Sequence, residues 1–298
     1  MRLGVAGAIV PRRLDAVNGR VAAKIAALGF SGVGTHFEGD PESLLRPELQ
    51  RVRAIFADHG IRIVQSWGWQ QPLIHPDESV RRAAVRTLQH AIRVAADLEA
   101  DMVMTGPGSL NPRGPWWPHP GNHSLAAEDA LVRSLQEVVA ACEAHGIPIA
   151  LECHVTSTLD SAERVRRVVE RVGSPWIKVN LDPVNFVRDL PTLFDTTGLL
   201  VKLFDTLGPY ILAAHVKDVY VEDRHVIHIS ETVPGDGVLD FDTFFRRFEA
   251  LLPDGYAIIE HLPESLVPQA MAFVTHKLAA LNIPIRTLIT RGISTQDE

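Results

Sequence analysis

Cysteine is scarce. The 298 residues hold only Cys142 and Cys153, with no CxxC, so neither a disulfide framework nor a thiolate zinc site is expected, and a reducing cytoplasm is the expected compartment. Positive charge is also short: 29 bases stand against 36 acids, a formal net charge of -7 that offers no attraction to nucleic-acid phosphates or anionic lipid. Neither nucleic acid nor membrane is expected as a partner. No stretch approaches the roughly 20 uninterrupted apolar residues of a membrane helix, and the run after Met1 is too short for a secretory core, so it reads as a first strand. No proline- or serine-rich linker divides the chain, and no low-complexity segment precedes the final ISTQDE. With 46% hydrophobic residues, enough for one large core, the chain is expected to be a single domain over 1–298, with 285–298 as a C-terminal tail.

What is present is alternation. Short apolar runs begin at Leu3, Gly32, Ile61, Asp101, Pro148, Ile177, Ile211 and Tyr256, and stretches of helical period fill 19–28, 47–59, 78–98, 124–145, 161–171, 193–207, 241–251 and 265–281. Gly29, Gly60, Gly146 and Gly173 stop helices just before the next strand. Eight such βα units predict an α/β fold, a (β/α)8 TIM barrel rather than an open doubly wound sheet. Two βα loops are long, GPGSLNPRGPWWPHPGNH after strand four and VYVEDRHVIHISETVPGDG after strand seven. Both leave C-terminal strand ends, where barrel enzymes keep their active sites.

Charged residues interrupt four consecutive apolar runs near their C-terminal ends: Glu152 in IALECHV, Asp182 in VNLDPVN, His215 in LAAHVKD and Glu260 in AIIEHL. Strand side chains alternate between faces, so all four can point inward and converge. One such residue is ordinarily a hydrogen-bonded core or surface group; four in succession point to a site. Three buried carboxylates repel unless a cation neutralises them, and a set of three oxygens and one imidazole suits one divalent ion, Mn2+ first and Mg2+ or Co2+ next.

These segments, with VPGDGVLDF, resemble the sugar phosphate isomerase/epimerase family, whose barrel is xylose-isomerase-like. The resemblance covers nearly the whole chain. It implies that Glu152, Asp182, His215 and Glu260 bind the metal as in ketose 3-epimerases, and that Glu152 and Glu260 serve as acid and base. The implied reaction is proton abstraction next to a carbonyl through an enediolate held by the metal, on a sugar or glycoside, in a chain that self-associates as a homo-oligomer. Two departures are visible. Asn185 stands where related three-zinc abasic-site endonucleases, and some epimerases, carry histidine, and Val226 breaks the Asp-x-His pair of the nucleases two residues before His228.

Trp116, Trp117, His119, Asn122 and His123, stiffened by four prolines, are expected to form an aromatic wall over the barrel mouth, with Trp67 and Trp69 facing it. Two of those four tryptophans are expected to touch substrate. His36, His154, Asn185, Lys217 and His228 complete the substrate-binding candidates, although an ion pair with a nearby acid is an equal reading for Lys217. The glycines of PGDG read as a tight turn before a helix capped by Asp240, not as a phosphate cradle. Arg81, Arg82, Arg86 and Arg93 read as a solvated helix face. Two further readings stand beside the isomerase: a metal-dependent lyase or hydratase that eliminates a β-substituent from a keto-sugar or 3-keto-glycoside, and a noncatalytic sugar-binding barrel.

Overall fold

Apolar runs of four to six residues extend, and the amphipathic stretches between them coil. The computed structural model describes residues 1–67 and 69–287. Its strands are β1 (Arg2–Val5), β2 (Gly32–Thr35), β3 (Arg62–Trp67), β4 (Met102–Thr105), β5 (Ile149–Glu152), β6 (Ile177–Leu181), β7 (Ile211–Val216), β8 (Asp218–Val221), β9 (Ile229–Thr232) and β10 (Tyr256–Ile259). Its helices are α1 (Gly19–Ala27), α2 (Arg46–Ala57), α3 (Glu78–Asp97), α4 (Leu125–His145), α5 (Ala162–Val172), α6 (Leu190–Phe194), α7 (Thr196–Leu207), α8 (Phe241–Leu251) and α9 (Val267–Ala280).

All strands but β8 and β9 form one parallel sheet in the order β1, β10, β7, β6, β5, β4, β3, β2, and β1 also pairs with β2. The sheet is therefore closed, a (β/α)8 barrel, and the open-sheet alternative is excluded. Side chains such as Leu3, Val33, Phe56, Leu131, Phe244 and Leu278 fill the layer between barrel and helices. A smaller set, Ala6, Val64, Met102, Ala150, Ala213, Tyr256 and Ile258, packs together as a separate cluster. Gly32 is glycine because a Cβ there would strike the Tyr256 ring.

Several helices begin and end as their sequences require. Asn18, Asp77, Ser124 and Asp240 each accept a backbone N–H of the first turn, and Gly146 and Gly173 close α4 and α5 at φ of 68° and 70°. The helix expected over 193–207 is instead two, because Asp195 leaves the helical conformation and its carboxylate caps Gly198 N. The loop after strand seven also differs from expectation. It folds as an antiparallel β8–β9 hairpin, since the period-two pattern of DVYV and ISET pairs across it. Arg81 is a correction too: it is buried and held by Glu78, Glu137 and Ser134, not part of a solvated face. Cys142 and Cys153 are buried and free. No helix among the described residues is long and apolar enough to cross a membrane. Of the expected C-terminal tail, 288–298 lies outside the described residues.

Candidate metal centre and cleft

The four charged interruptions sit at or just past the C-terminal ends of β5, β6, β7 and β10, which are neighbours in the barrel wall. Their side chains meet inside it: Glu152, Asp182, His215 and Glu260 are all buried, and each offers one ligand atom within 4.8 Å of the other three. His215 Nδ1 lies 2.9 Å from Glu260 Oε1, 3.4 Å from Glu152 Oε1 and 3.7 Å from Asp182 Oδ2. Carboxylates this close repel by about 3 kcal/mol per pair even at an effective dielectric of about 20, so the cluster needs cations.

The chain supplies some. Burial disfavours charge on Asp182 and Glu260, yet Lys217 and His215 outweigh it and hold both carboxyls below the usual range, Glu260 well below. Burial likewise opposes charge on His215 and Lys217, and the carboxylates overcome it, raising both. The compensation is incomplete in geometry. Asp182 Oδ2, His215 Nδ1 and both Glu260 oxygens are buried without a properly directed hydrogen bond, a costly condition for polar atoms. A divalent ion held by one atom each of Glu152, Asp182, His215 and Glu260 would offset their charge, and the oxygen-rich donor set suits a hard cation. The residues present fit such an ion.

Gln65 orients this set from behind. The β2–β3 register slips between Val33 and Gly34, so that Gly34 pairs with Gln65, and Gln65 faces the barrel interior. Its Oε1 lies 3.3 Å from His215 Nε2, and its Nε2 donates to Asn180 Oδ1 at 2.8 Å. Accepting from Nε2–H leaves His215 Nδ1 as the ligand atom.

Above the carboxylates opens a cleft of about 440 Å³. His36, Trp67, Trp116, Glu152, His154 and Asn185 line it, with Gln70, Pro115, Glu231 and His261. His36 stacks on Trp67 with centroids 4.4 Å apart. Burial and Arg12 push its imidazole down to about 4, and Arg12 donates toward His36 Nε2, which leaves Nδ1 to carry the proton of the neutral ring. His154 is also lowered by burial, and its Nδ1 accepts from Thr156. Trp67 Nε1 and Gln70 Nε2 are buried donors without partners. Asn185 Nδ2 donates to Glu152 Oε1 at 3.3 Å, fixing that carboxylate at the cleft floor. Trp116 packs against Gly106, where a Cβ would come within 2.5 Å of its ring. Its carbonyl accepts from Thr156 Oγ1, which ties the strand-four loop to the strand-five loop.

Other expected contacts point elsewhere. Trp117 is exposed beside the Arg113 guanidinium, and Trp69 donates to Gly39 O, so two of the four tryptophans line the cleft. His119 accepts from Gly121 N as the cap of a short 3-10 turn, His123 pairs with Asp160, and Asn122 is fully buried, binding Ser109 and Thr156 O. His228 is exposed at the hairpin's end, its Nδ1 near Val226 O. Lys217 lies below the cleft among the carboxylates, as the ion-pair reading has it. In PGDG, the Gly235 and Gly237 amides donate to the buried Asp218 carboxylate, as does Leu239 N, so none is free to cradle phosphate.

The family model described as "Xylose isomerase-like TIM barrel" matches residues 22–277. This chain belongs to that family. No curated protein matches it as a relative. Similar solved structures include the 3-keto-D-glucoside 4-epimerase of E. coli, 18% identical over 95% of this chain and 99% of that one with a TM-score of 0.68. The D-psicose 3-epimerase of Clostridium cellulolyticum H10 with D-tagatose is 17% identical, over 94% and 99%, with a TM-score of 0.71. A xylose isomerase-like TIM-barrel protein of Mycobacterium smegmatis in complex with magnesium is 16% identical, over 94% and 97%, with a TM-score of 0.69. At these identities the likeness speaks for the fold. Within this xylose isomerase-like barrel, the residues that sequence reasoning passes over are Gln65, Gln70, Asn180, Glu231 and His261. Gln65 and Asn180 have a readable signal, a polar residue inside an apolar strand. Glu231 has none, because its hairpin reads as a loop.

Proposed function

We propose that the chain, as a single domain, is a divalent-metal-dependent sugar isomerase or epimerase that moves a proton next to a carbonyl. The observation that carries this reading is the meeting of two glutamates from β5 and β10, with β6 and β7 between them in the wall, around one set of ligand atoms. Inversion at carbon needs two proton carriers, one for each face of the substrate, and two separate strands supply two carboxylates here. When bound, a divalent ion, Mn2+ by first preference, offsets the carboxylate charge and polarises a carbonyl and the hydroxyl beside it, acidifying the intervening C–H.

Glu152, steadied by Asn185 at the cleft floor, takes that proton, and Glu260 returns one from the other face. Trp67 and Trp116 offer flat apolar surfaces to the C–H faces of a sugar. The neutral His36 and the partnerless Trp67 and Gln70 donors meet its hydroxyls without adding charge. The names of the similar E. coli and Clostridium proteins, both epimerases acting on keto-sugars, support this class.

A second reading has one observation in its favour. The cleft continues from Glu152 out to Pro115 and Trp116, room that suits a glycoside, and abstraction beside a keto group of a glycoside can expel a β-substituent instead of inverting a centre. Incubating the Mn2+-loaded protein with ketoses and 3-keto-glycosides in D2O tests both. Deuterium at the carbon beside the carbonyl with mass otherwise conserved supports the isomerase. Release of an aglycone or water supports the lyase, and no exchange into any of the panel contradicts the enolising chemistry.

A further inference from the structure

The centre holds more ligand-type groups than one ion uses, and the surplus lies to one side. Glu231 of β9 and His261, next to Glu260, face the spot that Lys217 Nζ occupies. That nitrogen is 2.7 Å from Asp182 Oδ2, 2.7 Å from Glu260 Oε1, 3.3 Å from Glu231 Oε1 and 3.2 Å from His261 Nδ1. Three carboxylates and one imidazole thus surround one ammonium, the same donor composition as the set completed by Glu152 and His215. Asp182 Oδ2 and Glu260 Oε1 are buried and shared by both sets, and neither receives a properly directed hydrogen bond even from the ammonium beside it. Paired metal centres are built in this way, with ions about 3.5–4 Å apart.

We propose that Lys217 is a built-in substitute for a second divalent ion: its ammonium fills a ligand set made by Asp182, Glu231, Glu260 and His261 and so keeps the centre at one ion per chain. The proposal rests on the reading of Glu152, Asp182, His215 and Glu260 as a metal centre. A lysine suits the part because it is a compact point charge on a flexible four-carbon stem, able to hydrogen-bond Glu231 Oε1 and His261 Nδ1 while its charge attracts Asp182 and Glu260. It carries one charge where a metal ion would carry two, which leaves the shared carboxylates their attraction for the first ion. It also cannot be removed by a chelator. The hairpin β8–β9 delivers Glu231, so the second set is completed by an element outside the barrel wall.

The test is metal stoichiometry, read without turnover. The full-length protein is stripped by chelation and reloaded with Mn2+; ions per chain are counted by elemental analysis, and spin coupling between neighbouring ions is read by electron paramagnetic resonance. Wild type is expected to hold one uncoupled Mn2+, and Lys217→Met two coupled ions. Lys217→Gln, neutral but still able to hydrogen-bond, is expected to behave like Lys217→Met and serves if the methionine variant does not fold. Adding Glu231→Gln to either should weaken the second ion at least about tenfold, the scale of losing even a supporting group. In wild type, Glu231→Gln should change the affinity for the first ion by less than about tenfold; abolished binding would make Glu231 part of the first site and overturn the assignment. One ion in folded Lys217 variants, or two in wild type, overturns the substitute while the metal centre stands. No ion in any of these proteins overturns both.

Discussion

The two halves of the barrel mouth are built differently. The half formed by β5, β6, β7 and β10 carries its chemistry on strand ends: Glu152, Asp182, His215 and Glu260 are buried, mutually close and backed by Gln65 and Asn180. The half formed by β2, β3 and the strand-four loop carries His36, Trp67 and Trp116, which line the cleft, His36 stacked on Trp67. The charged groups all sit on or one residue past rigid strands and are buried together; of the surface-offering groups, His36 and Trp67 also sit at strand ends but face the open cleft, and Trp116 comes from a loop.

The sharpest way to break this division is at Glu152. Glu152→Gln is expected to lower proton–deuterium exchange by about 10²- to 10⁴-fold while Mn2+ remains bound, because a proton carrier is lost and a ligand oxygen kept. Full exchange with metal bound would remove Glu152 from the acid–base pair. Next comes Gln65→Leu, far from His215 in sequence but in contact with its Nε2. It is expected to cost about 10- to 100-fold in Mn2+ affinity by titration, with exchange at saturating metal largely retained.

Crossing to the other half, Trp116→Ala is expected to raise KM by about tenfold with little change in kcat, the signature of a lost stacking surface. Trp117→Ala, on the exposed side of the same loop, is expected to leave both constants alone. Equal effects would contradict the placement of the two indoles. The smallest effect is at His36. Its imidazole is held at about 4 against an ordinary value of 6.5, so between those pH values the unfolded chain binds a proton that the folded chain does not. Stability contributed in this way is intact above 6.5 and is lost as pH falls toward 4. The fall in Tm over that window should be shallower in His36→Phe, which keeps the stack on Trp67.

The same division explains how much of the fold and of the centre is legible in the amino-acid sequence. A carboxylate inside a run such as AIIEHL contradicts its surroundings, and four contradictions in successive strands expose a site. The eight-unit barrel is legible for a similar reason, since glycine stops and apolar runs recur along the whole chain. Loop geometry has no such period. Nothing in GPWWPHP distinguishes Trp116, seated on Gly106, from Trp117, turned to solvent. The β8–β9 hairpin is hidden by its charged, exposed connection, and with it Glu231. The break at Asp195 is a local cap on Gly198, three residues on, inside a run whose apolar period continues through it, whereas the burial of Arg81 depends on Ser134 and Glu137, far off in sequence.

The central claim is that four strand ends make one metal centre, and elemental analysis of the protein purified without added metal, beside Asp182→Ala, tests it most directly. About one divalent ion per chain in wild type, lost in the variant while circular dichroism shows the barrel intact, is the expected result. A wild-type protein that takes up no Mn2+, Mg2+ or Co2+ even after reconstitution would contradict the account.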